Sequence, residues 1–224
     1  MPDRVLVTGG TGGLGVAVVE ELLRRDWEVV VPWVAERELE RLPPRERLEL
    51  VEADLFDGDR VRECVGRAGE RLRGVVNLVG GFADGQPVAG TPIEDFEAQL
   101  RLNLRPTYLV TQAAFPRLVA AGGGSIVCVS SRAALRPFAG AAGYCASKAA
   151  VLAFAQVVAA EGKPHGIRCN AILPSVIDTP ANRAKDGPDA PMVPPAEIAR
   201  VVAFLLPGDA APTSGAAIPV YGRA

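Results

Sequence analysis

Short apolar runs rich in β-branched residues recur along the chain at 4–8, 28–33, 48–53, 75–79, 125–130, 167–173 and 217–220. Runs of this length, apolar on both sides, predict strands buried on both faces of a parallel sheet. Helix-period stretches fill the intervals. One opens at the glycines after Thr8 and runs through Arg25, and a second, charged one spans about Ala35 to Leu42. A third is capped by Asp57 and reaches about Leu72. A fourth starts with Thr91 as cap and Pro92 at the first helical position, bends near Pro106 and reaches about Ala121. Gly143 to about Glu161 and Ala196 to Leu206 complete the set. Strand and helix alternate throughout, so right-handed crossovers give a doubly wound parallel α/β sheet of about seven strands with helices on both faces. Residues 174–195 are aperiodic and rich in Pro, Asp, Ala and Asn, the pattern of a lid or binding loop.

Composition narrows the partners more than it narrows the fold. The 224 residues fit one domain, 1–224, large enough to bury a core without disulfide or metal. A formal net charge of −2 offers nucleic acid or an anionic membrane surface no basic excess. The N-terminus enters a strand pattern directly, with no leader pattern, and no uninterrupted apolar run approaches about 18 residues; a cytoplasmic protein is expected. Cys64, Cys128, Cys145 and Cys169 are widely spaced and read as small core residues. His165, the only histidine, stands at a helix-strand turn, which leaves histidine triads and histidine metal sites without a donor.

The candidate chemistry lies at strand ends. Gly9-Gly10-Thr11-Gly12-Gly13-Leu14-Gly15 joins the first strand to the first helix, a Rossmann-type turn that aims backbone N–H groups and the helix dipole at a pyrophosphate. The second strand closes on Pro32-Trp33-Val34, with neither an acid for a ribose 2′-OH nor an arginine for a 2′-phosphate. Trp33 packs or lies against adenine, and Arg37 is near enough to meet a phosphate, so the choice between NAD and NADP stays open. Asp54, after the third strand, is expected at the adenine edge. Gly80-Gly81 after the fourth strand allow close approach of a nicotinamide ribose, while Asn77 should tie neighbouring strands together. Tyr144 and Lys148, four residues apart, share one helix face, where a fixed ammonium would favour the phenolate.

Thr8-Gly9 with Gly13 and Gly15, Asp54, Asn77 with Gly80, Asn103, Ser131, Tyr144, Lys148 and Pro174 to Thr179 together resemble the short-chain dehydrogenase/reductase family over nearly the whole chain. The resemblance implies hydride transfer between NAD or NADP and a small-molecule carbonyl or alcohol substrate. Tyr144 would give or take the proton, and Lys148 would depress the phenol pKa and hydrogen-bond the nicotinamide ribose. Ser131 would hydrogen-bond the substrate oxygen, and Asn103 would hold a water that passes protons toward Lys148. The implied cofactor surface comprises Gly9, Thr11, Gly12, Gly13, Leu14, Gly15, Trp33, Asp54, Leu55, Val79, Gly80, Gly81, Tyr144, Lys148, Pro174, Ile177 and Thr179, the last at the carboxamide. Ser175 takes a place where glycine is usual, and Phe82, Arg132, Arg136, Phe138 and Asn182 are candidates for the substrate side. A homodimer or homotetramer is implied as well, in keeping with a helix after Tyr144 that is apolar over more of its circumference than one core face needs.

Gly80-Gly81-Phe82-Ala83-Asp84-Gly85, Ile172-Leu173-Pro174 and Asp178-Thr179-Pro180-Ala181-Asn182-Arg183 are similar to the dihydropteridine reductase branch of that family, which makes reduction of a quinonoid pterin the alternative. That branch carries an acid where Trp33 stands and generally lacks the serine supplied by Ser131. A non-catalytic dinucleotide-binding regulator is a third reading, and it requires a broken catalytic set, whereas Ser131, Tyr144 and Lys148 are all present.

Overall fold

The computed structural model describes residues 2–187 and 189–222. Its sheet consists of β1 (Arg4–Thr8), β2 (Glu28–Trp33), β3 (Leu48–Glu52), β4 (Leu72–Asn77), β5 (Gly124–Val129), β6 (Ile167–Pro174) and β7 (Ala217–Val220). All pair in parallel, in the order β3-β2-β1-β4-β5-β6-β7. The helices are α1 (Gly13–Arg24), α2 (Gly58–Ala68), α3 (Ile93–Ala120), α4 (Ala142–Gly162), α5 (Pro180–Asp186) and α6 (Pro195–Leu205).

Alternate strand residues feed two cores. Leu6, Val30, Val75, Ile126 and Ala171 pack with α2, α3 and α4, whereas Val5, Val7, Val31, Val76, Val127 and Ile172 pack with α1 and α6. Two-sided burial is why the strands read as apolar runs without alternation. The segment Ala142–His165 is long and apolar enough by composition to cross a membrane, with mean hydropathy 1.4, yet half of its most apolar window is buried here against the sheet and α3. All four cysteines are free and buried, as expected.

Several boundaries differ from the sequence reading. Gly69, at φ 68°, ends α2 at Ala68 instead of near Leu72. Leu72 opens β4 and pairs with Arg4, so the fourth strand runs 72–77 where 75–79 was expected. The charged helix expected over Ala35–Leu42 is a 3-10 segment, Glu36–Arg41, with no buried residue to hold a longer helix. Thr91 does not cap α3: its hydroxyl donates to the carbonyls of Gln86 and Pro87, and Pro92 is the cap residue. The expected loop 174–195 contains α5, capped by the Thr179 hydroxyl on the Asn182 N–H, and is pinned by a bridge between Ile177 and Val193.

Candidate active site

β1 and β4 lie side by side while their following helices cross to opposite faces of the sheet. A crevice therefore opens at their C-terminal ends. Gly9, at φ 66°, turns the chain there, and Gly12 N–H donates to the Gly9 carbonyl at 3.0 Å. Gly12 caps α1 without a side-chain bond, and the N–H groups of Gly13, Leu14 and Gly15 have no backbone acceptor among the described residues. A Cβ on Gly15 would collide with the Gly9 carbonyl oxygen, and one on Gly13 would come within 2.9 Å of Thr179 Cγ2. Thr179 thus lies over the turn from across the crevice, and Val79 N flanks it, 3.2 Å from where a Gly9 Cβ would stand. Open amides lined by residues that only glycine can occupy fit a dinucleotide pyrophosphate.

The 3-10 segment after β2 folds back onto the glycine turn. Thr11 donates its hydroxyl to Glu38 Oε2 at 2.7 Å, and Arg41 Nη1 donates to the Thr11 carbonyl at 3.2 Å. Glu38, five positions past Trp33, thus brings a carboxylate from the 3-10 segment back to the glycine turn. An acid near the strand end was the available signal. Trp33 is half-buried and its carbonyl accepts from Ala53 N at 3.0 Å. One oxygen of Asp54 accepts from Phe56 N at 2.9 Å, Leu55 is buried in the core, and Arg37 is exposed.

Ser131, Tyr144 and Lys148 meet at the end of β5. Ser130 Oγ donates to the Lys148 carbonyl at 2.7 Å, which fixes α4 against the strand end. Lys148 is 6% exposed; its Nζ donates to the Val129 carbonyl at 3.2 Å and lies 5.9 Å from the Tyr144 ring centroid. Burial pulls the ammonium down from 10.5 to about 8, against a smaller opposing effect of the Cys128 thiol. Burial also pushes the Tyr144 phenol above 10, and its hydrogen bond with Ser131 opposes the rise. Among its neighbours, Ser131 lowers the phenol pKa and Cys145 raises it.

Asn103 braces the loop after β4. Its Nδ2 donates to the carbonyls of Gly81 and Gln99, and its Oδ1 accepts from Gly81 N, each at 3.1 Å. These bonds clamp the loop after β4 against α3. A Cβ on Gly80 would stand 2.5 Å from Asn103 Oδ1 and 3.1 Å from Lys148 Nζ, which brings all three together. Asn77 reaches Thr111 Oγ1 at 3.1 Å and Cys128 Sγ at 3.8 Å, joining β4 to α3 and β5, while its Oδ1 is buried without a partner among the described residues.

On the substrate side, the Phe82 ring meets the Tyr144 ring edge-on at 4.8 Å and the Phe138 ring at 6.3 Å. Asn182 donates to the Ile177 carbonyl at 2.8 Å and braces the loop. Ser175 bonds the Tyr221 carbonyl at 3.2 Å, so its hydroxyl tethers buried Pro174 and the end of β6 to the chain after β7. Arg132 lies over the Tyr221 ring at 5.8 Å, and Arg136 is exposed. Among the described residues no group of three or more His, Cys, Asp or Glu could hold a metal ion.

The family model described as short chain dehydrogenase matches residues 3–189. The chain is 33% identical to (3R)-3-hydroxyacyl-CoA dehydrogenase of Rattus norvegicus, over 97% of this chain and 94% of that one. It is 33% identical to L-xylulose reductase of Bos taurus, over 98% and 95% of the two chains. A solved structure described as ElxO with NADP bound shares the fold, with TM-score 0.92, 24% identity and coverage of 99% and 98%.

Proposed function

From the premise that this chain belongs to the short-chain dehydrogenase/reductase family, an NAD(P)-dependent oxidoreductase, we propose that it interconverts a carbonyl and an alcohol through Ser131, Tyr144 and Lys148. The observation that carries this reading is the meeting, at one end of the sheet, of a glycine turn with open amides and a Ser-Tyr-Lys group whose serine and lysine are buried and whose tyrosine is half-buried. The nicotinamide supplies or accepts the hydride. The amides of Gly13, Leu14 and Gly15 would hold the pyrophosphate, Thr11 and Glu38 the adenosine ribose, and Gly80, Lys148 and Thr179 the nicotinamide half.

Because burial raises its pKa, Tyr144 keeps its proton through the neutral range and donates it to the substrate oxygen during reduction. The Ser131 hydroxyl bonds that oxygen as negative charge grows. Lys148, one helical turn away, is placed to offset the charge left on the phenolate once the proton has gone. Asn103 keeps Gly81, and with it the floor of the nicotinamide site, fixed beside Lys148.

A ketone or alcohol substrate is preferred to a quinonoid pterin because Ser131 is present beside Tyr144, and because relatives at 33% identity are named for hydroxyacyl and sugar carbonyl chemistry. The exposed outer face of α4, with Ala149, Ala153 and Val157, would bury itself against a second copy, giving a homodimer or homotetramer. Sedimentation equilibrium showing only monomer at micromolar concentration would end that part of the proposal. The enzymatic part is tested by titrating NADH and NADPH into the protein and following their oxidation with a panel of ketones. Failure to bind either cofactor sinks it.

A further inference from the structure

Phe82 is an aromatic ring held on several sides and yet left open. It is 44% exposed and Phe138 is 49% exposed, in a chain with only 5% aromatic residues, so neither ring serves the core. The Phe82 ring stands at 86° to the Tyr144 ring, with 4.8 Å between centroids. Lys185 of α5 places its Nζ 4.2 Å from the Phe82 centroid and donates to Asp84 Oδ2 at 2.9 Å. Gly85 N–H donates to the Gly140 carbonyl at 2.9 Å, which fastens the Phe82 loop to the Phe138 loop. An ammonium over the ring and an ion pair behind it set the orientation of Phe82, where an unrestrained surface phenylalanine would rotate.

We infer that Phe82 and Phe138 form the wall against which a flat, ring-bearing substrate lies while Tyr144 and Ser131 hold its oxygen, and that Lys185 is the positioning residue for Phe82. The inference rests on the oxidoreductase reading above, since an oxygen bound at the Tyr144 hydroxyl has its substituents in reach of Phe82. The 6.3 Å between the two centroids is less than the roughly 7 Å that a third ring needs for contact on both faces, so the substrate lies along the wall and not between the rings. Asp84 pairs with Lys185, so that ammonium leaves no unpaired charge beside Phe82. The substrate class is therefore an uncharged aryl ketone or aryl carbinol.

Acetophenone and cyclohexyl methyl ketone match in carbon skeleton and differ in flatness and π-character, which makes them the probes. Their binding to the whole protein is measured by ligand-detected NMR with NADH or NADPH present, and turnover is followed alongside. The wild type should bind acetophenone about 3- to 10-fold more tightly, the range an aromatic pair contributes. Phe82→Leu should bring the ratio to about one, Lys185→Met should lower it about 2- to 3-fold, and Lys185→Arg, which keeps the cation and the ion pair, should restore it. Equal binding, binding of neither ketone, or an unchanged ratio in Phe82→Leu overturns the inference. The underlying reading fails separately: if acetophenone is preferred but turnover is the same in Tyr144→Phe, the wall stands and the catalytic assignment falls.

Discussion

The two ends of one sheet treat their polar groups in opposite ways. At the strand N-termini, Arg4 lies between Glu28 at 2.9 Å and Glu49 at 2.8 Å, Arg71 reaches Glu28 at 2.6 Å, and Arg67 reaches Glu49 at 2.8 Å. Arg168, on the same side, spends its guanidinium on the carbonyls of Leu206, Pro207 and Thr213. At the strand C-termini, among the described residues, the amides of the glycine turn stay open and the Lys148 ammonium is buried against a single carbonyl. Groups matched within the chain hold strands together, and groups kept from matching are available to a bound molecule. Size is a poorer guide than matching: a cavity of about 940 Å³ opens beside Arg168 and contains none of Ser131, Tyr144 and Lys148.

The largest separation of the two ends should come from Tyr144→Phe. It removes one hydroxyl from a phenol that burial keeps protonated, so kcat should fall by about 10²- to 10⁴-fold, the usual worth of a positioned acid. Cofactor affinity and thermal unfolding should stay at wild-type values. Turnover within a few fold of wild type would remove the catalytic role from this end of the sheet.

Gly15→Ala should come next. A Cβ there meets backbone, the Gly9 carbonyl oxygen and Gly10, which cannot swing away as a flexible side chain would. α1 must move off the turn, at a cost of about 1–3 kcal/mol, and cofactor affinity should fall more than 10-fold. Gly58→Ala is the control, because its Cβ would meet only the far end of Arg62 at 3.5 Å; calorimetry should find it neutral or slightly stabilised. Equal losses in the two variants would mean that the turn is not special.

These positions also show what was legible beforehand. Backbone-built features follow from residue type and spacing: the glycine turn, the parallel sheet and the shared face of Tyr144 and Lys148 all stand where the sequence puts them. Features set by tertiary contact do not. Leu72 is apolar enough for helix or strand, and only pairing with Arg4 makes it strand. α5 is held by its Thr179 cap and the Ile177–Val193 bridge, neither of which has a periodic signature. Glu38 reaches Thr11 only after the chain folds back, and the burial that governs Tyr144 depends on loops far away in sequence. Asn103 matched the family pattern while its side chain answered to Gly81.

Lys148→Met should lower turnover and raise stability, as expected where a buried, poorly matched charge is removed. The fall from 10.5 to about 8 corresponds to a penalty on the order of 3 kcal/mol for the folded protein. Below pH 8 the lysine is protonated folded and unfolded alike, and the penalty is felt in full. From pH 8 toward 10 the folded protein sheds the proton while the unfolded chain keeps it, so wild-type stability should climb. Denaturant titrations at pH 7, 8.5 and 10 should show the variant ahead by up to that amount at pH 7 and the gap narrowing with pH. A constant gap would mean that packing, not charge, separates them.

The smallest effect belongs to the matched end. Glu28→Gln leaves Arg4 and Arg71 without their shared carboxylate in a part-exposed network, worth about 1 kcal/mol, and turnover should be unchanged. Hydrogen bonding to Arg71, and then to Arg4, holds the Glu28 carboxyl below its usual 4.5. Its contribution is therefore present above that value and lost as pH falls through the lower, folded one, so wild type and variant should converge in acid. High salt should narrow the same gap, because part-exposed charges are screened. If Glu28→Gln instead changed kcat, the two ends of the sheet would be coupled through β1 and β2, and the division between a matched end and an open end would not hold.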